Sequence, residues 1–387
     1  MTTFSSFTSI NIPAPVGDNI YISVNGVDAA GEAVGDYGDS SGDSYGFIAT
    51  NGIATTFIPA GASNTDVVGV LPTGEIYGDY VDYANVQHGF VENGGVVTPV
   101  NVFLATSTFL SGVNNAGVIY GTYVEFDEVH GFIESNGLVT TIDVPGAAST
   151  SVVGVNASGE IVGTITDSAG VAHGFTDSNG VFTTFSAPGA INTYVVGVSD
   201  AGVIAGAYVD SSNNEHGFID KNGVITTINV PGSNYTAVSA ENAAGEIVGY
   251  YVDSAGNVHG FIDNNGVVST VDVPGATETD IVGVTASGEI FGYYNDTAGV
   301  QHGFIGQIAL SANNVITAAT DNSSSTVGAG HVVTLTLDTT SAVTVTGTPT
   351  LQLSDNEVAT YASGSGTNAL TFYYVVQPGD SAADLHV

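Results

Sequence analysis

The chain has 387 residues, no cysteine, and 38 acidic residues against a single base, Lys221, giving a formal net charge of −37. That length allows two domains or one large one, and the missing cysteines leave neither disulfides nor thiolate metal ligands. Without basic side chains there is no surface that reads phosphate, so nucleic acid and anionic membranes are excluded as partners. No apolar run approaches the roughly 20 residues that span a bilayer. The opening "MTTFSSFTSINIPAPVGDN" has neither a basic nor an apolar leader segment, so no membrane insertion is expected and export would proceed without an N-terminal signal.

From residue 21 onward one sentence repeats. "HGF" occurs at His88, His130, His173, His216, His259 and His302, with "YGF" at Tyr45. The glycines of this tripeptide stand 42 or 43 residues apart, and a second glycine column runs Gly35, Gly78, Gly121, Gly163, Gly206, Gly249 and Gly292. Each unit reads as four strands. In the last, "DIVGVT", "EIFGYYN" and "VQHGFI" are separated by the turns "ASGE" and "DTAG". In the complete copies an Asn-Gly pair, suited to a type I′ turn, leads into a fourth strand such as "GVVSTVDV". A period of 40–50 residues with four strands per unit predicts a β-propeller.

The expected fold is therefore all-β: a seven-bladed β-propeller of four-stranded blades over residues 1–307. The last unit stops after "HGFIGQ" and lacks a fourth strand, while the N-terminus carries a spare one, "TTFSSFTSINIP". Placed on the last blade, that strand closes the circle and removes an exposed edge. A glycine column in the first strand (Gly26, Gly69, Gly112, Gly154, Gly197, Gly283) predicts that this strand is innermost, where blades crowd the axis. The tyrosine column (Tyr37, Tyr80, Tyr123, Tyr208, Tyr251, Tyr294) is expected to pack between blades.

The repeat, with its "HGF…NG…ID.PGA…GV…GE..GYY" pattern, resembles the bacterial HAF-type extracellular repeats, named for a His-Ala-Phe tripeptide that appears here as His-Gly-Phe. The resemblance covers about four fifths of the chain and implies an extracytoplasmic propeller; it carries no catalytic residues across. From residue 308 the texture turns to Ser, Thr, Val and Asn, and "VVTLTLD", "AVTVTG", "TLQLS", "VATYAS" and "LTFYYVV" predict a small antiparallel sandwich over 308–387. This segment resembles the immunoglobulin-like modules of large bacterial adhesins and type I-secreted repeat proteins, so a partial Ig-like β-sandwich within a longer surface polypeptide is implied.

Candidate sites were sought among departures from the repeat. The histidines His88, His130, His173, His216, His259 and His302 each follow an acidic residue at a turn, which suits a hydrogen bond within the blade. The first unit's "GDYGDSSGDSYGF" clusters Asp36, Asp39 and Asp43 around Gly-Ser turns, oxygen ligands that would suit Ca²⁺. In the third unit Phe103, Leu104 and Phe126 stand where other units have Pro-Gly or polar turns, a candidate partner-facing patch. No Ser-His-Asp order, metal-ligand histidine spacing or phosphate loop is present, so no catalytic residue is assigned.

These readings favour a secreted or cell-surface binding and adhesion module, a monomeric disc presenting loops to a glycan or surface protein, requiring no cofactor apart from a candidate Ca²⁺. The alternatives are a carbohydrate-active enzyme, lyase or glycosidase, using carboxylates at the channel mouth, and a structural spacer with no ligand. A cluster of non-repeated polar side chains at one mouth would mark an active site; an aromatic patch would mark a binding disc.

Overall fold

A computed structural model of the chain describes residues 3–12, 21–264, 266–309, 316–321, 329–343, 345, 350–352 and 358–377. Among the described residues there are thirty-three strands and no helix. Contacts divide the chain into two compact units, Met1–Ile308 and Ala309–Val387.

In the first unit, four-stranded antiparallel sheets run in chain order at 21–57, 149–185, 190–228 and 233–271. An eight-stranded sheet covers 62–142, its two halves joined by one parallel pair, Ser107 with Gln87. The remaining sheet places Thr3–Ile10 beside Gln301–Ala309, followed by Glu289–Asn295 and Glu278–Val284. None of these sheets closes on itself; they meet largely through side chains, with one isolated parallel bridge, Asn11 to Ile53, where the last sheet meets the first. The first strand of each repeat touches the first strand of the next, from Tyr21–Val27 round to Glu278–Val284, which touches Tyr21–Val27 again. One hydrophobic core joins Ile10, Ile22, Val24, Phe47, Phe291 and Ile305, so the last repeat packs on the first.

The repeated residues explain why each unit folds alike. The phenylalanine of the tripeptide is fully buried in all seven copies, from Phe47 to Phe304. In several units its ring lies where a side chain on the second-strand glycine would go: a Cβ on Gly35 would come within 2.9 Å of Phe47, and one on Gly163 within 2.6 Å of Phe175. The opposing strand's carbonyl closes the same space, so only glycine fits. The Asn-Gly hairpins have φ of 54° and 79° at Asn136 and Gly137, the paired positive φ of a type I′ turn.

The turn before the tripeptide is held by its aspartate. Asp296 Oδ1 accepts the N–H groups of Ala298 and Val300 at 2.8 and 2.9 Å, and its Oδ2 faces His302 Nε2 at 3.2 Å. The same arrangement recurs at Asp82–His88, Asp167–His173 and Asp210–His216. The third unit departs from it. Its turn is shortened to Phe126-Asp127, so Glu128 and not Glu125 lies 3.9 Å from the imidazole of His130.

The tyrosines lie in cores shared between neighbouring units, as expected: Tyr123 clusters with Val100 and Val102, and Tyr251 with Ile228 and Val230. Tyr80, Tyr123, Tyr251 and Tyr294 stack on the histidine of the same sheet at about 5 Å, and their register explains it: Tyr80 pairs with His88 directly across the strands. Several hydroxyls reach a fourth-strand threonine, as in Tyr123–Thr141 and Tyr251–Thr270, both 2.9 Å. In the last unit the N-terminal strand fills these roles: Tyr294 meets Ser9, and His302 Nδ1 meets Asn11 where His88 meets Asn101.

In the second unit the described residues form one five-stranded antiparallel sheet. Its order is Ile316–Asp321, Val332–Val343, Thr367–Val375, Val358–Ser363 and Thr350–Gln352. Val333, Leu335, Leu337, Ala359, Leu370, Phe372 and Tyr374 form its core.

A buried threonine near the start of the first strand accepts the N–H of the residue six earlier, as Thr150 does from Val144 at 3.2 Å and Thr279 from Val273 at 3.0 Å. Thr65 has no such partner and its hydroxyl is orphaned, because the residue six earlier is Pro59, which has no N–H. Thr150→Val is therefore expected to cost about 1–3 kcal/mol by stranding a buried donor, whereas Thr65→Val is expected to be neutral or stabilising by up to ~1 kcal/mol. Chemical denaturation of the two variants checks the contrast.

Candidate functional site: the lumen of the first-strand circle

The first strands of successive units meet side by side, and Ser111, Val153, Val196 and Ser239 from four of them line a lumen of about 240 Å³. The side chains of each first strand alternate. Val24, Val67, Leu110, Val152, Val195, Val238 and Ile281 are buried between units. The residues just before them, Ser23, Asp66, Phe109, Ser151, Tyr194, Ala237 and Asp280, occupy the other face. Each pairs across the sheet with a second-strand residue: Ser23 with Asp36, Asp66 with Asp79, Phe109 with Thr122, Ser151 with Thr164, Tyr194 with Ala207, Ala237 with Tyr250 and Asp280 with Tyr293. Directly opposite residues share a face. The neighbouring positions in both strands repeat almost without change, while this pair differs from unit to unit.

The departures group by chemistry. One sector carries carboxylates and phenols. Asn25 Nδ2 donates to Asp36 Oδ1 at 2.5 Å and to Val67 O at 2.7 Å, while Ser23 donates to Asn25 Oδ1 at 2.6 Å. Tyr21 also hydrogen-bonds Asp36. Tyr293 donates to Asp280 Oδ2 at 2.8 Å, and Tyr235 and Tyr250 meet through their hydroxyls at 3.2 Å. Asp79 Oδ1 accepts the N–H of Leu110 in the next unit at 2.9 Å. The opposite sector is small or apolar, with Phe109 and Tyr194 both about two-fifths exposed and Ala207 and Thr164 behind them.

Burial sets the protonation of the acidic sector. Desolvation, reinforced by the charge of Asp66, pushes Asp36 and Asp79 up to about 7. Desolvation alone raises Asp280 to about 6. Burial, with Asp36 and Asp66 adding to it, lifts Tyr21 to about 12. At neutral pH the sector thus mixes hydrogen-bond donors and acceptors with exposed Asp66 among them, and no cation faces it. The turn aspartates behave oppositely. Backbone N–H groups, with the imidazoles adding to them, hold Asp82, Asp167 and Asp296 below the usual carboxylate range.

The first-unit aspartates are not brought together. Asp36 is held by Asn25 where the first unit meets the second, while Asp39 accepts from its own turn, at Ser41 and Asp43, and from Tyr45. Among the described residues no group of three or more His, Asp or Glu is placed to hold a metal ion. The six histidines likewise stay apart, each engaged within its own sheet or by Asn11. Phe103, Leu104 and Phe126 lie 87%, 65% and 85% exposed in one corner of the third unit, where Thr106 ties their loops by donating to Val124 O. Leu104 and Phe126 adopt φ of 70° and 50°, and Leu104 stands where other units carry glycine, a backbone cost that bulky residues rarely bear. Sequence reading missed the lumen pairs because it looked for departures in loops. The signal was present in the column before the buried first-strand aliphatic, once the units are aligned.

No family model matches the chain, and no curated protein matches it in sequence. Solved structures do. The β-propeller domain of the Trilobed protease from Pyrococcus furiosus, described as having an open velcro topology, is 11% identical with a TM-score of 0.53, covering 74% of this chain and 95% of that one. The fold is a β-propeller. A Mycobacterium tuberculosis puromycin-hydrolyzing peptidase is 10% identical with a TM-score of 0.53 over 86% of this chain, which spans 61% of that peptidase. The BP39L lectin from Burkholderia pseudomallei is 11% identical with a TM-score of 0.49, covering 75% of this propeller chain and 96% of the lectin.

The raised carboxyls predict a pH effect of definite sign. A carboxyl whose folded pKa is raised stabilises the fold below its unfolded value near 4, and that contribution is lost as pH rises through about 7. Asp36→Asn keeps the acceptor for Asn25 and removes the charge. It is expected to stabilise the propeller by about 1–3 kcal/mol at pH 8 and to leave stability at pH 4 unchanged, as denaturant titrations at the two pH values would read.

Proposed function

We propose that residues 1–307 form a seven-bladed disc, secreted or held at a cell surface, that binds a neutral glycan in the mouth of its lumen. What supports the blade count is the circle of first-strand contacts and the N-terminal strand standing in for the missing fourth strand. The observation that carries the binding reading is the lumen column itself. This inner position, which varies from unit to unit between nearly constant neighbours, sets phenols and carboxyls opposite exposed aromatic rings. A sugar offers that surface a ring of hydroxyls for Asp66, Tyr21 and Tyr293, and C–H faces for Phe109 and Tyr194. An anionic ligand would meet uncompensated carboxylates. Phe103, Leu104 and Phe126 would add contacts from the third unit.

One observation favours a second reading. Asp36 and Asp79, raised to about 7 beside Asp66, provide a proton donor near an acceptor, the pairing that glycoside hydrolysis requires. A neutral-glycan array, run with and without chelator, tests the first reading. Retention of at least one neutral oligosaccharide is expected, unaffected by chelator and weakened at least tenfold by Asp66→Asn or Tyr194→Ala. Loss of all retention, or unchanged binding by both variants, sinks it. Release of new reducing ends from a retained glycan, abolished in Asp36→Asn, would move the assignment to the enzyme.

A further inference from the structure

The geometry points to a second ligand seat beside the N-terminal strand: a cleft that takes a pyranose unit of a neutral glycan, outside the lumen. This rests on reading the disc as a glycan-binding module. The cleft has a volume of about 560 Å³ and lies between the sheet at 233–271 and the sheet closed by Thr3–Ile10. That size falls within the range of small-molecule sites.

Its two walls differ in kind. One is aromatic. Phe7 is 39% exposed, and its ring is backed by Phe304 in a stacked arrangement at 6.0 Å, by Tyr294 at 6.0 Å, and by the edge of Phe4 at 5.3 Å. The platform is therefore held from behind. The other wall is polar: Asp272 receives His259 Nδ1 on both oxygens, at 3.0 and 3.1 Å, and exposed Glu278 stands at the rim. Asp253 closes the far side of the imidazole at 3.5 Å.

That pairing selects the ligand. An apolar ligand would cover Asp272 and Glu278 without hydrogen bonds, which is costly. A phosphate or carboxylate would face Asp272 and Glu278, with the one imidazole, His259, already held between two carboxylates. A sugar ring satisfies both walls, its C–H face on Phe7 and its hydroxyls on the carboxylates. One unit earlier the equivalent cleft is lined by Glu215, His216, Asn229, Pro231 and Tyr235 and measures about 400 Å³. There Asn229 replaces Asp272, and the wall that Phe4 and Phe7 provide is absent from its lining. The aromatic platform comes from the strand that closes the disc, so a bound ligand would bridge that strand to the preceding unit and slow its release.

The test measures saturation-transfer NMR and hydrogen exchange with a panel of neutral methyl pyranosides on the full chain. Asp272→Asn copies the residue of the earlier cleft, Phe7→Leu removes the platform, and Asp66→Asn is the lumen control. A thermal melt confirms that each variant is folded. Expected is binding of at least one pyranoside that slows exchange in Thr3–Ile10 and residues 272–279; Asp272→Asn and Phe7→Leu weaken that local protection at least tenfold, and Asp66→Asn, which acts on the lumen alone, leaves it in place. Binding lost only in the lumen variant overturns the second seat while leaving the lumen reading intact. Local protection unchanged in both cleft variants also overturns it, and no binding to the wild-type chain overturns both.

Discussion

The whole first unit depends on one close approach, the buried phenylalanine of the tripeptide against the second-strand glycine. In Gly35–Phe47, Gly163–Phe175 and Gly206–Phe218 the ring occupies the volume that any side chain would need. That contact brings the third strand down on the second and fixes which face each neighbouring residue takes. It thereby turns the residue after the glycine, Asp36 in the first unit and Tyr293 in the last, to the other face of its strand. The framework positions repeat because volume and backbone pairing leave one residue type that fits. At the lumen positions each unit uses its own side-chain hydrogen bonds, as Asp36 does with Asn25 and Asp280 with Tyr293.

The net charge divides along the same line. Many of the carboxylates belong to architecture: Asp28, Asp39, Asp82, Asp167, Asp210, Asp253 and Asp296 each accept N–H groups of their own turns. These donors hold Asp82, Asp167, Asp210, Asp253 and Asp296 below the usual carboxylate range. Asp36, Asp79 and Asp280 are inside, and burial suppresses their charge. An acidic composition thus conceals two populations, one solvated and structural, the other shielded by burial.

Much of the fold was legible because the repeat reports on itself. Gly292, His302 and the missing final strand together announce that the N-terminal segment must complete the last sheet, and Asn11 meets His302 as Asn101 meets His88. The tyrosine column was legible as packing between units, because a period of two shows which face a residue takes. Its stacking on histidine was not, since Tyr80 lies across from His88 only by strand register. The lumen pairs were harder. Asp66 and Asp79 are thirteen residues apart and become neighbours only when the hairpin forms, and Phe109 meets the axis only when the first strands share it. Asp39 and Asp43 read as free oxygen ligands, yet the turn consumes Asp39 with its own backbone. The second unit was legible as strands, because segments such as Val332–Val343 and Thr367–Val375 alternate apolar and polar residues.

Asn11 and His302 lie 291 positions apart along the chain, and that separation governs how the molecule is made. A ribosome delivers Phe4 and Phe7 first, long before Phe304 exists to receive them. Until then each intermediate carries an adhesive N-terminal segment at one end and an incomplete sheet at the other. Either could capture its counterpart on a neighbouring chain. Mutual repulsion between strongly negative nascent polypeptides would oppose such exchange, so the acidity that looks superfluous in the finished disc has a use during biogenesis.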